Sequence, residues 1–309
     1  MELKELIALD LNVPITLIEE AVEIAHRSIK KFHLPKKTGG YRVISQPDGK
    51  TKAIQYWLVR NIFEKLPVHE VSMAYRKGIS ILDNADTHKK NKYFLKVDLK
   101  DFFPSIKFAD IDSIIKEWHK KEQPNWIYNK SAKQIIQKTC FDGSGQLPIG
   151  YPSSPSISNA TMYSFDIKIS TLLADKEDFG DVIYTRYADD IVISTNKRQI
   201  CKKILSVVRS AVKDHNHPKI VINESKIHMG SSTSGSAIVT GLRICRNEHV
   251  TINRKQKDNI RLLLSLLSKK QLKHDDYEIL RGHLAYIKHV APHFYTKLQA
   301  KYFEEIESL

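Results

Sequence analysis

Apolar residues return every three or four positions over 15–28, directly after Pro14. They do so again over 51–65, where the pattern stops before Pro67, and both stretches predict amphipathic helices. Further helices are predicted over 108–120, 129–140, 155–174 and 198–213. Between them the pattern turns to strands. Tyr41-Arg42-Val43-Ile44-Ser45 reads as a strand after the turn Lys36-Lys37-Thr38-Gly39-Gly40, a hairpin with a basic tip. Residues 93–98 read as an apolar strand ending on Asp98. Residues 182–194 read as two β-rich arms around a tight polar turn, with Asp189 and Asp190 at its tip. A strand at 219–222, a short hairpin around 238–252 and a largely helical, basic stretch over 254–306 follow. Strands and helices alternate in the middle while helices dominate the ends, which predicts an α+β fold.

Composition narrows the class of protein. The 309 residues, 41% hydrophobic and 27% charged, suffice for one large core or two to three small ones. Apolar runs such as Leu262-Leu263-Leu264 are far shorter than a membrane span, and Met1-Glu2-Leu3-Lys4-Glu5 lacks the apolar region of a secretory signal. Cys140, Cys201 and Cys245 are far apart and odd in number, so free thiols in a reducing cytoplasm are expected. Forty-nine Lys+Arg against thirty-five Asp+Glu give +14 and a pI near 9.4. That excess favours a polyanionic partner, because each phosphate neutralised releases condensed counterions. Charge nominates nucleic acid without selecting a chemistry, since a generically basic protein has the same balance.

The acids select one. A strand ending on Asp98 beside a hairpin tipped by Asp189 and Asp190 would bring three carboxylates together, and uncompensated charge of this kind raises pKa values and costs stability. A divalent cation removes the problem, and hard oxygen ligands suit magnesium. Two such ions, roughly 3.5–4 Å apart, can activate an attacking 3′-hydroxyl and stabilise a leaving pyrophosphate. Asp-Asp at a turn is also ordinary turn chemistry. The β-branched arms, Tyr187 and the segment Asp98-Leu99-Lys100-Asp101-Phe102-Phe103 make the accident less credible. Other candidates are weaker. His215-x-His217 has no cysteine pair nearby for zinc, and Gly143-Ser144-Gly145 lacks the Lys-Ser/Thr ending of a phosphate loop. Tyr286, Phe294 and Tyr295 follow a helical pattern and are expected in the core.

Tyr187-Ala188-Asp189-Asp190 resembles the signature of reverse transcriptases. Val97-Asp98-Leu99-Lys100-Asp101-Phe102-Phe103-Pro104-Ser105 resembles their first aspartate motif, and Leu147-Pro148-Ile149-Gly150-Tyr151-Pro152-Ser153-Ser154-Pro155 the motif over the nascent base pair. The resemblance implies a right-hand polymerase: an N-terminal helical extension over 1–30, fingers over 31–92, a palm over 93–235 with part of the fingers within 107–150, and a thumb with an RNA-binding C-terminal region over 236–309. It implies that Asp98, Asp189, Asp190 and the Leu99 carbonyl hold two Mg2+ ions. Arg42, Lys100, Asp101, Phe102, Phe103, Gly150 and Lys226 would meet the incoming deoxynucleoside triphosphate. Phe103 matches the steric gate against a ribose 2′-hydroxyl, Arg42 the triphosphate contact, and Lys226 the candidate proton donor to pyrophosphate. Each has a plain alternative: a core aromatic, an exposed salt bridge, a solvated lysine. Ile149 and Tyr151 depart from the glutamine and small residue common in the family.

Two short elements narrow the resemblance. Asn84-Ala85-Asp86-Thr87-His88 resembles the Asn-Ala-x-x-His element of bacterial retron enzymes, and Val239-Thr240-Gly241 their Val-Thr-Gly element. A helix cap would explain Asn84 alone, and a strand with a Gly turn would explain Val239-Thr240-Gly241. A retron enzyme implies a cognate structured RNA of msr-msd type, priming from a guanosine 2′-hydroxyl, a DNA product joined to RNA (msDNA), and an effector protein within an antiphage system. No nuclease, maturase or integrase extension is recognisable in the sequence. Lys255, Lys257, Arg261, Lys269, Lys270 and Lys273 are candidate RNA contacts, or the ordinary polar face of thumb helices. The alternatives are a group II intron-like or other solitary reverse transcriptase, and a catalytically idle RNA-binding module.

Overall fold

The computed structural model describes residues 1–35, 39–235 and 237–309. Strands β1 (Ile29–Pro35) and β2 (Tyr41–Pro47) form an antiparallel ribbon with Ile29 opposite Pro47 and Pro35 opposite Tyr41. Lys36, Lys37 and Thr38 of its expected basic tip lie outside the described residues. The central sheet is antiparallel with the order β4-β5-β3-β6, built from β3 (Tyr93–Asp98), β4 (Val182–Tyr187), β5 (Asp190–Thr195) and β6 (His228–Ser231).

Alternation along these strands sends side chains to two cores, as a pleated strand must. Leu95, Val97, Ile191 and Ile193 enter the larger core, which holds the helices Leu3–Leu11, Gly49–Asn61, Phe108–Glu122, Lys130–Cys140, Tyr163–Leu172 and Cys201–Lys213. Phe94 and Val192 point the other way, into a second core with the C-terminal helices Arg254–Ser268, His274–Val290 and Pro292–Lys301. A mixed α+β architecture is thus present, with helices dominating both ends.

Three expectations change. The predicted strand at 219–222 is a single bridge, Leu99 to Ile222, flanked by Lys100 N–H donating to Val221 O at 2.8 Å and Asn223 N–H to Asp98 O at 2.8 Å. It does not lengthen, because in that antiparallel register residues 219–221 would face Lys100–Phe102, where the chain has left β3 and turns through Asp101, at a φ of 46°, into the short helix Phe102–Ser105. The helix expected over 155–174 is two, Ser154–Thr161 and Tyr163–Leu172. The first is rich in Ser, Asn and Thr, and the Thr161 hydroxyl bonds back to the Ile157 and Ser158 carbonyls at 3.1 Å, the competition that weakens helices. The hairpin around 238–252 is a three-stranded sheet of β7 (Ile238–Val239), β8 (Leu242–Ile244) and β9 (Val250–Thr251). Among the described residues no helix is long and apolar enough to cross a membrane.

Candidate active site

The β4–β5 hairpin closes Tyr187 on Asp190 with a two-residue turn, Ala188-Asp189, and Ala188 takes a left-handed φ of 57°. An alanine there is strained by its Cβ. Beneath the turn Arg186 and Asp166 pair at 2.7 Å with both side chains at 0% exposure, and the Arg186 guanidinium also donates to the Ala188 carbonyl at 3.3 Å. The Tyr184 hydroxyl donates to the same Asp166 carboxylate at 2.7 Å, so the buried charge is hydrogen-bonded on several sides.

In the sheet register Asp98 lies opposite Asp190, and Leu99 N–H donates to the Asp189 carbonyl at 3.0 Å. Opposed residues of an antiparallel pair share a face, so the strand end and the hairpin tip bring three acids to one place. Asp98 is buried; Asp189 and Asp190 are half-buried. Burial, then the charges of Asp190 and Asp98, raises the Asp189 pKa, while Lys226 lowers it. The other two acids carry ammonium partners. Lys226 Nζ lies 3.0 Å from both Asp98 oxygens, and Lys96 Nζ lies 2.9 Å from Asp190.

Among the described residues no set of three or more acidic, histidine or cysteine side chains is arranged around a cation position. Asp98 and Asp190 are held against the ammonium groups of Lys226 and Lys96. The donor set still fits a hard divalent cation: three carboxylates meet two ammonium groups, and the excess negative charge falls on Asp189.

The other predicted residues spread around this centre. Lys100 and Asp101 are exposed beside Asp98, and Asp101 takes a φ of 46°. Phe102 is in the larger core, whereas Phe103 is half-buried with its ring 5.4 Å from that of Phe102. Gly150 sits under β2: with a φ of +104°, a Cβ there would come within 2.6 Å of the Ser45 carbonyl. Ile149 accepts from Ser45 N–H at 2.8 Å, and Tyr151 is buried, so this loop is tied to the ribbon that carries exposed Arg42. Sequence reasoning missed Tyr75. Its ring lies 6.4 Å from Phe103 and 6.5 Å from Tyr187, and its position could be found only from tertiary contacts.

The two short elements meet each other. Ser80, not Asn84, caps the helix Ile81–Thr87. Asn84 and Ala85 lie on its buried side, and His88 is buried with ring nitrogens 2.7 Å from the Ser194 and Thr185 hydroxyls of the central sheet. Thr240 and Gly241, at φ 46° and 83°, make the tight β7–β8 turn, and the Thr240 hydroxyl donates to the Ile81 carbonyl at 3.0 Å. Val239 is buried in the second core.

Of the basic candidates, Lys257 and Arg261 converge over the Phe294 ring at 5.4 and 5.1 Å. Burial and the charges of Arg261, Arg243 and Lys297 push the Lys257 ammonium below its ordinary range. Lys255 is exposed on the same helix, whereas Lys269, Lys270 and Lys273 lie past its far end, roughly 18 Å from Lys257 to Lys269 at 1.5 Å per residue. The six do not form one patch. Phe294 belongs to the second core, and Tyr286 and Tyr295 pack against it.

Comparison with known proteins decides the family. Residues 34–271 match the family described as Reverse transcriptase (RNA-dependent DNA polymerase). The chain is 45% identical to the retron Ec73 reverse transcriptase of Escherichia coli over 90% of its own length and 88% of that protein's. The chain belongs to the retron reverse transcriptases. It is 32% identical to the Escherichia coli retron Ec83 reverse transcriptase over 89% of this enzyme and 87% of that one. The structure of apo telomerase from Candida tropicalis is similar in fold, with a TM-score of 0.50 at 15% identity over 83% of this chain. The enzyme spans half the length of that telomerase. Its fold is the right-hand polymerase fold, and it is an RNA-directed DNA polymerase of a retron.

Proposed function

We propose that the enzyme copies a structured non-coding RNA of msr-msd type into single-stranded DNA, starting from a guanosine 2′-hydroxyl so that the DNA stays joined to RNA. The antiphage role, with an effector protein as partner, comes with this reading. The register that sets Asp98 opposite Asp190, with Asp189 in the adjoining turn, carries the catalytic part. Asp98, Asp189, Asp190 and the Leu99 carbonyl would hold two magnesium ions, which when bound supply charge neutralisation on the phosphates and acidify the attacking hydroxyl.

The chain's own groups do the rest. Phe103, half-buried five residues after Asp98, would bar a ribose 2′-hydroxyl. Arg42 offers a planar fork to the triphosphate from β2. Lys226, its ammonium already at the acid centre, is placed to give a proton to the leaving pyrophosphate. Fingers over 31–92, palm over 93–235 and thumb over 236–309 are the division this reading assigns. The second core, whose buried residues come mostly from 237 onward, supports the thumb boundary. RNA meets Lys257 and Arg261 at the Phe294 face, with Lys255, Lys269, Lys270 and Lys273 as flanking contacts.

Primer extension on an RNA template, with magnesium titrated, tests the acid centre. Metal-assisted charge stabilisation supplies several kcal/mol, so Asp98→Asn and Asp189→Asn should each lower the extension rate by at least about a thousand-fold. Extension by Asp189→Asn at the wild-type rate would contradict the proposal.

A further inference from the structure

Tyr75 stands in the loop between Lys65 and the helix Ile81–Thr87, and its backbone is strained. Its φ is +60°, a conformation that bulky L residues rarely adopt. The strain is not offset by burial of the ring, because the residue is 50% exposed and belongs to neither core. Strained residues that persist are held by their surroundings and gather at working sites.

The surroundings here are specific. Ser72 forms a parallel bridge with Arg186: Arg186 N–H donates to Val71 O, and Met73 N–H to Arg186 O, both at 2.8 Å. The Asn159 amide donates to Ala74 O at 2.8 Å and accepts from the Ser72 hydroxyl at 2.8 Å. The loop is therefore fastened to β4, the strand that leads into the acidic turn, through both backbone groups of Arg186, and to the helix Ser154–Thr161 through Asn159. What this fastening presents is the Tyr75 ring, edge-on to Phe103 at 6.4 Å and tilted against Tyr187 at 6.5 Å. Burial, then the charges of Asp189 and Tyr187, raises the phenol pKa, while Arg42 lowers it.

We propose that Tyr75 is a positioning residue for sugar selection: its edge holds the Phe103 ring in the plane where a ribose 2′-hydroxyl clashes. The inference rests on the reading of Phe103 as the sugar gate. A gate rejects only as well as it resists displacement. Phe103 is half-buried, with the Phe102 ring on one side at 5.4 Å and the Tyr75 ring on another. Removing Tyr75 leaves Phe103 free to turn aside when a ribonucleotide enters. Deoxynucleotides, which meet no clash, lose less.

The test is the ratio of kcat/KM for a deoxynucleoside triphosphate to that for the matching ribonucleoside triphosphate, in primer extension by the full chain. The variants are Tyr75→Phe, Tyr75→Ala, Tyr75→Leu, Phe103→Ala and Phe103→Ala/Tyr75→Ala. One aromatic edge contact corresponds to roughly a three- to ten-fold effect, so Tyr75→Ala and Tyr75→Leu should lower the ratio by that factor, and Tyr75→Phe should keep it. Phe103→Ala should lower it further, and adding Tyr75→Ala should change nothing more. A lowered ratio in Phe103→Ala with an unchanged ratio in Tyr75→Ala and Tyr75→Leu overturns the Tyr75 proposal and leaves the gate standing. An unchanged ratio in Phe103→Ala overturns the gate reading itself.

Discussion

His88 is held between two hydroxyls of the central sheet, and burial pushes its pKa down from 6.5 to about 3. As pH falls through 6.5 the unfolded chain takes up a proton that the folded chain refuses. Stability is therefore full above that pH and is lost on the way down towards 3. This one group should remove about 2 kcal/mol of folding stability between about pH 7 and about pH 5. Urea denaturation at the two pH values should show the loss in wild type and a correspondingly flatter dependence in His88→Asn; equal dependence in both would show that the imidazole is not buried neutral. At this scale the sequence was legible where a residue breaks its own local pattern. An acid closing an apolar strand, as Asp98 does, and two acids tipping an apolar hairpin are visible because nothing local accounts for them. Tyr75, Arg186 and Asp166 were not. Their meaning comes from partners distant along the chain, such as the Ser72–Asn159 bond that spans 87 positions.

Gly150 shows how one element positions another. The loop around it passes so close to β2 that an added Cβ would lie 2.6 Å from Ser45 O and 2.7 Å from an Ile44 methyl group. Gly150→Ala must therefore move β2, and Arg42 with it, besides straining a φ of +104°. A loss of about 1–3 kcal/mol in denaturant unfolding is expected, together with a several-fold rise in KM for the nucleotide. Unchanged stability and KM would show that β2 and this loop move independently. Most elements were legible because their periodicity is strong, as in β3 and the β4–β5 hairpin, whose observed limits sit close to the predicted ones. The misreadings have separate causes. The strand expected at 219–222 had β propensity, but its register sets it beside Lys100–Phe102, where β3 has already ended and the chain turns at Asp101. The helix Ile81–Thr87 was missed because seven residues are too few for a period to declare itself.

Across the whole molecule the central sheet serves two cores, one per face, and the acid centre lies where β3 ends beside the β4–β5 turn. The helix Ile81–Thr87 and the Val239-Thr240-Gly241 turn tie the sheet to the second core through His88 and Thr240. Two fragments legible only as short motifs are thus one strut in space. The +14 charge was legible from composition, but its placement was not, since Lys257 and Arg261 meet only once Phe294 is folded beneath them. The proposed role of these parts is synthesis of DNA joined to its own RNA. The most direct measurement is nucleic acid extracted from cells expressing the enzyme with its flanking locus, resolved before and after ribonuclease treatment. A short DNA that shifts on ribonuclease treatment, and disappears when Asp189 and Asp190 are both changed to alanine, is the predicted result. An enzyme that extends ordinary primed templates in vitro but yields no RNA-joined DNA in those cells would contradict it.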